Sequence, residues 1–137
     1  MSAVFTSPDP DWEAKVRDSF ARQGAMETIG ARLVHLEPGH AHVAVDYADA
    51  VAQQHGYVHG CVVGMIADSA GGYAGFSLMP PGASVLTVEY KMNLLAPAEG
   101  QTIVAKGRVI KPGRTLVITQ TDVFAHKDGQ TRLCNLK

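Results

Sequence analysis

The chain contains little cysteine and no surplus of charge of one sign. Its 137 residues include two cysteines, Cys61 and Cys134, and neither has a second cysteine in a CxxC arrangement. Two cysteines are too few for a disulfide-rich secreted scaffold, so we expect a reducing, cytoplasmic environment. Twelve Lys and Arg stand against thirteen Asp and Glu, a formal net charge of −1. This balance lacks the basic surplus that is typical of nucleic-acid-binding proteins.

The chain also lacks an uninterrupted apolar run that could cross a membrane. Residues 1–10 carry Pro and Asp and no apolar core after a basic stretch, so we expect no signal peptide. The most apolar segment, Cys61–Met79, contains four glycines and Asp68, which argues against a membrane span. Hydrophobic residues nevertheless make up 46% of the chain, enough for one core. We therefore expect a single domain over residues 1–137, with an N-terminal helical extension over residues 1–25.

Apolar periodicity predicts two helices. Apolar residues one helical turn apart indicate a short amphipathic helix over Asp11–Gln23 that ends at Gly24. The run Gly60–Leu78 is too long for a strand and is apolar on nearly every side, so it predicts a helix at the centre of the fold. Its glycines each lower helix propensity by up to ~1 kcal/mol relative to Ala. We expect tertiary packing to hold this helix, with other backbones close to its glycines.

Alternation of apolar and polar residues predicts six strands, several of them separated by Pro-Gly or Asp-Gly turns. The predicted strands are Ile29–Leu36, Ala41–Tyr47, Ser84–Leu95, Gln101–Ile110, Thr115–Ala125 and Gln130–Leu136. Antiparallel strands with one buried helix predict an α+β fold in which the sheet wraps around that helix. The apolar surface that remains favours dimerisation.

Asp68 is the one acidic residue within the predicted central helix, about two turns from its start. A buried carboxylate without a partner costs several kcal/mol, so such a residue has either a partner or a task. The residue pattern leaves two interpretations open. Asp68 is a catalytic group, or it is a structural residue that caps a neighbouring strand or loop.

His59 and Gly60 mark the start of the same helix. The backbone N–H groups of a first helical turn lack intrahelical acceptors and lie at the positive end of the helix dipole. With no side chain at Gly60, a carbonyl oxygen could approach these groups, as stabilisation of an oxyanion requires. A glycine that merely eases the entry of a loop into a helix explains the pattern equally well.

His59-Gly60, with Asp68 nine residues after the histidine, resembles the His-Gly-Gly…Asp motif of the PaaI-type hotdog thioesterases. The segment Thr87–Ala98 is similar to the strand of that family that ends in a Pro-Ala pair. The hairpin Val109–Thr115 is similar to its counterpart there. The resemblance extends from about Gly30 to the C-terminus. It implies a hotdog fold, with an antiparallel sheet of five to six strands around a long central helix.

The resemblance also implies an activity, the hydrolysis of an acyl-CoA thioester to free acid and coenzyme A without a metal or redox cofactor. In that family the acidic residue on the helix, here Asp68, is the general base or the nucleophile. Gln53 corresponds to a loop residue that positions water or substrate, and Thr87 to a hydroxyl that assists the water. The N–H groups of Gly60 and Cys61 would polarise the carbonyl. The family's site lies at a dimer interface, so Gln53 and Asp68 would come from different subunits of a dimer or a dimer of dimers.

Cys61 departs from the family's motif, which has a second glycine there. A thiol at a helix N-terminus can have a lowered pKa, but no separate base and orienting residue accompany it. We therefore favour Cys61 as a small apolar spacer beside the substrate over Cys61 as a nucleophile.

Other candidates concern substrate binding. Three basic residues, Lys91, Lys111 and Arg114, could meet the phosphates of coenzyme A, or they are ordinary surface charge. Tyr57 and three further residues could line the acyl pocket, or they pack in the core; these three are Met65, Tyr73 and Phe76.

Two alternative functions are also compatible with the sequence. A hotdog hydratase or dehydratase would need a catalytic histidine, for which His55 or His59 could serve. A non-catalytic acyl-CoA sensor would need an attached DNA-binding unit, and only about 28 residues precede the first predicted strand. His40 and His42 share one strand face and could bind a metal, although no further ligands are spaced around them.

Overall fold

The computed structural model describes residues 3–136, and the side chains of residues 3–134. The elements in chain order are α1 (Trp12–Ala21), α2 (Gly24–Ile29), β1 (Arg32–Glu37), β2 (His40–Asp46), α3 (Gly60–Phe76), β3 (Asn93–Leu94), β4 (Thr102–Pro112), β5 (Val117–Lys127) and β6 (Gln130–Leu136). All paired strands are antiparallel and form one sheet in the order β1-β2-β4-β5-β6-β3. Helix α3 packs against β2, β4 and β5. The predicted α+β fold, a sheet of five to six strands around a central helix, is confirmed.

Glycines allow α3 to lie directly on the sheet. A Cβ atom at Gly107 of β4 would lie 2.4 Å from the carbonyl carbon of Ala70, so only glycine fits between strand and helix. At Gly71 of α3, a Cβ atom would come within 2.9 Å of the Thr119 hydroxyl oxygen on β5. The buried Thr121 hydroxyl donates a hydrogen bond to the Ala67 carbonyl at 3.1 Å. The predicted close approach of another backbone is therefore present at Gly71, which lies against Gly107, whereas Gly64 and Gly75 of α3 face side chains.

The core consists of two clusters along α3. The larger lies between its N-terminal part and the sheet, and includes the fully buried Ile66, Ile103 and Val123. The smaller includes Val16 of α1 and Tyr73 and Phe76 of α3. Helix α1 thus covers the C-terminal end of the central helix.

The N-terminal region differs from the prediction of one helix over Asp11–Gln23. Helix α1 ends at Ala21, and a second helix, α2, follows over Gly24–Ile29. Gly30 ends α2 in the left-handed conformation, with φ of 71°. The short helix is held because its Met26 side chain is buried in the larger cluster, and such packing cannot be inferred from six residues alone.

The predicted strand Ser84–Leu95 is wrong in extent. Only β3, Asn93–Leu94, pairs with β6, opposite Leu136 and Asn135. The described part of β6 ends at that point, so Ser84–Glu89 joins no ladder among residues 3–136. A strand needs a neighbouring strand as well as an alternating pattern. The pattern alone therefore predicted a strand that is too long.

No helix in the described part of the chain combines the length and the apolar character needed to cross a lipid bilayer.

Candidate active site

The start of α3 is capped by the side chain of His59. Its backbone is extended, with φ of −59° and ψ of 137°, and its Nδ1 accepts the N–H of Cys61 at 3.0 Å. Its carbonyl oxygen accepts the N–H groups of Val62 and Val63 at 2.9 and 3.1 Å. Three of the first four N–H groups of the helix therefore have acceptors. Histidine is not among the usual N-cap residues, so the sequence predicted the start of the helix at His59 but not this capping role.

Gly60 provides the remaining N–H group of the first turn. No residue within 3–136 accepts a hydrogen bond from it, and it lies at the positive end of the longest helix. The prediction paired Gly60 with Cys61 as donors. That part is corrected, because the Cys61 N–H already donates to His59. Gly60 alone presents a backbone donor at this helix terminus.

A cavity of about 420 Å³ lies beside Gly60. Gln53 and Tyr57, from the loop before α3, line it together with residues 94–98 that follow from β3. The side-chain oxygen of Gln53 accepts the backbone N–H groups of His55 and Tyr57. These two bonds orient the Gln53 amide so that its nitrogen is the group left to donate.

Asp68 lies in a different groove of about 650 Å³, bordered by α3, the start of β5 and residues 84–91. The carboxyl group is partly exposed rather than deeply buried. The Thr87 hydroxyl donates a hydrogen bond to its Oδ1 at 2.9 Å. Two residues that the sequence placed 19 positions apart are thus in direct contact. An acceptor role for Asp68 suits an ionised carboxylate, which can only accept hydrogen bonds.

Gly60 and Asp68 are both on α3, eight residues apart. At 1.5 Å per residue this corresponds to about 12 Å along the helix axis. One acyl carbon cannot contact the Gly60 N–H and the Asp68 carboxylate of the same chain at this separation. The structure of one chain therefore holds the Gly60 donor and the Asp68 carboxylate at two separate places.

The remaining predicted substrate-binding residues are distributed over the surface and the core. Lys91, Lys111 and Arg114 are all exposed, and of the three only Lys91 borders the groove of Asp68. Tyr73 and Phe76 pack in the smaller core cluster. Their alternative interpretation, core packing, is correct, and they do not line the cavity at Gly60.

The Tyr73 hydroxyl also has structural partners. It lies 2.8 Å from the side-chain nitrogen of Gln23 and 3.1 Å from the Ser19 hydroxyl, near the C-terminal end of α1. Met65 is partly buried and packs against the larger core cluster.

The histidines of β2 lie away from both cavities, on the hairpin with β1. The His42 ring packs against the His35 ring at a centroid distance of 4.6 Å. Burial, with the nearby His35, Lys106 and His40, lowers the pKa of His42 to about 4. Within the described residues, no three His, Cys, Asp or Glu side chains lie together as a metal site.

Residues 55–131 match the thioesterase superfamily. A solved structure of a thioesterase family protein from Silicibacter pomeroyi is 47% identical in sequence, and the match covers 91% of this chain and 92% of that one with a TM-score of 0.90. PaaI, from the phenylacetic acid degradation operon of E. coli, has the same fold with a TM-score of 0.80 at 18% identity, over 95% of this chain and 91% of PaaI. A 1,4-dihydroxy-2-naphthoyl-CoA hydrolase from Listeria monocytogenes is 28% identical over 73% of this chain and 81% of the hydrolase. The chain therefore belongs to the thioesterase superfamily and has its hotdog fold.

Proposed function

We propose that this thioesterase-superfamily chain hydrolyses acyl-CoA thioesters to a free acid and coenzyme A. The observation that carries the proposal is the Gly60 N–H, a helix-terminal donor without an acceptor among residues 3–136, beside an apolar cavity. A donor in this position suits the oxygen of a thioester carbonyl, on which negative charge develops during attack. The Listeria relative, a hydrolase of an aryl-CoA thioester by its name, supports this substrate class.

Asp68 provides the acid–base half of the proposed site. As a general base, its carboxylate takes a proton from water while the water oxygen bonds to the acyl carbon. The carbon–sulfur bond then breaks, and the departing coenzyme A thiolate takes up that proton. Attack by Asp68 itself, through an anhydride that water hydrolyses, is the variant of this mechanism. The Thr87 hydroxyl, 2.9 Å from the carboxylate, orients it in either case.

We further propose that the site assembles between two chains in the cytoplasm, with Gly60 and Gln53 of one facing Asp68 of the other. The separation of about 12 Å along α3 supports this arrangement, since one chain cannot bring both groups to one carbon. Leu86 and Val88, beside Thr87, are 86% and 76% exposed. Exposed apolar side chains next to Thr87 and Asp68 are typical of a surface that a partner covers.

The alternative of a hydratase or dehydratase is weaker. Such chemistry needs a histidine paired with an acid. The Nδ1 of His59 is occupied by the Cys61 N–H, and within residues 3–136 no Asp or Glu bonds to His55 or His59. A non-catalytic acyl-CoA sensor would bind these thioesters without turnover, so the assays below distinguish it.

Replacement of Asp68 tests the assignment of the acidic group. We expect Asp68→Asn to lower kcat toward acyl-CoA by about 10²–10⁴-fold, because the amide can neither take a proton nor attack. The release of the coenzyme A thiol, followed with a thiol reagent, measures kcat. Cys61→Ala is the matched control and should retain turnover. Near wild-type activity of Asp68→Asn, or loss of activity in a folded Cys61→Ala, would require a different nucleophile or base.

Replacement of Gly60 by proline removes the proposed donor without breaking the helix. Proline is well tolerated at the first helical position, and the ψ of 137° at His59 is compatible with a following proline. We expect Gly60→Pro to lower kcat by about 10²–10³-fold, the usual effect of one oxyanion donor. Gly60→Ala keeps the N–H and adds only a Cβ atom 3.4 Å from the Leu94 side chain. Equal loss in both variants would indicate a steric effect and refute the donor role.

The N-cap role of His59 predicts rescue by another capping residue. His59→Ala should destabilise the chain by about 1 kcal/mol in urea unfolding and should lower kcat, because the start of α3 loses its cap. His59→Asn retains an acceptor for the Cys61 N–H and should restore both quantities. If asparagine restores stability and leaves kcat low, the imidazole itself takes part in the chemistry.

Charge introduced at the exposed segment tests the shared site. We expect Leu86→Glu combined with Val88→Glu to yield a monomer in sedimentation velocity and to abolish turnover. Val4→Glu, at a valine that is 96% exposed, is the control and should leave both unchanged. A fully active monomer would contradict a site built from two chains.

A further inference from the structure

We infer that the cavity beside Gly60 receives the acyl group of the substrate, and that it selects neutral, apolar acyl groups of up to about ten carbons. The inference rests on the proposed function, since it assumes that a thioester carbonyl lies at the Gly60 N–H. Beyond the activity, the cavity would set the class and the length of the acyl group.

The cavity lies where the acyl group of a bound thioester would extend. Gly60 lines it, so a carbonyl oxygen at the Gly60 N–H places the attached acyl group at its entrance. The cavity extends from there into the core, because its walls include Val63, Ala98 and Cys134, which are 1%, 6% and 1% exposed. A group that extends from the carbonyl into this space is removed from water.

The side chains that line the cavity favour a neutral acyl group. Among the described residues that line the cavity, none has a charged side chain. The Cys134 thiol donates to the Val123 carbonyl at 3.4 Å, and burial raises its pKa, so it stays neutral. A carboxylate or ammonium group at the far end of an acyl chain would lose its hydration there without gaining a partner of opposite charge. The cavity therefore favours neutral groups.

The volume of the cavity limits the size of the acyl group. At about 30 Å³ for each non-hydrogen atom, the share of one water molecule in the liquid, 420 Å³ holds on the order of fourteen atoms. Part of this space lies at the open entrance, so an enclosed acyl group has fewer atoms than this, on the order of ten. A straight chain of that length fits, and so does an acyl group with a single aromatic ring.

Ala98 has the smallest side chain among the buried residues of the wall, so it is the position at which added volume would fill the cavity. Its carbonyl accepts the Val58 N–H at 2.9 Å, so the backbone on both sides of the cavity is held in place. A larger side chain at position 98 would take up cavity volume instead of displacing the wall. Leu94 lies near Gly60 and is 58% exposed, so it can yield to an entering substrate.

The test compares kcat/KM of the full chain, Ala98→Leu and Ala98→Ser with butyryl-, hexanoyl-, octanoyl- and decanoyl-CoA. We expect Ala98→Leu to lose at least about tenfold with octanoyl- and decanoyl-CoA and to leave butyryl-CoA unaffected. Ala98→Ser, of nearly unchanged size, should retain the wild-type preference. An equal loss for every chain length would mean that the cavity holds the pantetheine arm common to all substrates. That result, or no change with any substrate, overturns the inference.

A second measurement needs no variant at position 98. Pentanoyl-CoA and glutaryl-CoA have the same chain length, and only glutaryl-CoA carries a terminal carboxylate. We expect wild-type kcat/KM to favour pentanoyl-CoA by at least about tenfold. Equal values would refute a neutral cavity.

Binding separates this inference from the proposed function. Calorimetry with Asp68→Asn should show tighter binding of octanoyl-CoA than of butyryl-CoA, and Ala98→Leu in that background should remove the difference. If the wild type hydrolyses no acyl-CoA but binding still favours octanoyl-CoA, the proposed activity is refuted and the acyl cavity is supported. If hydrolysis occurs without any chain-length preference, the assignment of the cavity is refuted and the proposed activity is supported.

Discussion

The contact between α3 and the sheet is the constraint on which the rest of this molecule depends. Gly107 lets β4 approach the backbone of Ala70, and Gly71 lets the helix lie against Thr119 of β5. Because the helix is fixed along its length, both its first turn and the side of its middle turns have defined positions. The first turn presents the Gly60 N–H, and the middle turns present Asp68 in contact with Thr87. The proposed chemistry uses these two points and little else.

The same helix also explains why one chain would not suffice. A helix that carries both groups keeps them about 12 Å apart, and no side-chain rotation closes that distance. A second chain placed against the exposed Leu86 and Val88 would supply the missing half of each site. The His59 cap adds a further requirement, since it occupies the Cys61 N–H and leaves Gly60 as the single backbone donor of the first turn. Dimerisation and catalysis would then depend on one another.

Prediction from the sequence succeeded where local periodicity decides structure. The hairpin of β1 and β2, the hairpin of β4 and β5 and the central helix all follow from spacing and from turn residues. The resemblance to PaaI-type thioesterases is confirmed at the level of family and fold. Helix α2 was missed, because six residues hold a helical conformation only through burial of Met26. The strand Ser84–Leu95 was overestimated, because its pairing depends on where β6 runs.

The sequence by itself determined the set of chemical groups: an acid in an apolar helix and a glycine at the start of that helix. Those properties depend on residue type and on separation along one helix, which the helical repeat converts into distance. Only the tertiary structure decided which N–H group has an acceptor, that Thr87 contacts Asp68, and that Tyr73 and Phe76 belong to the core. Each of these depends on contacts between elements that are distant in the chain or on the rotamer of a capping side chain. Residue order alone does not specify such contacts.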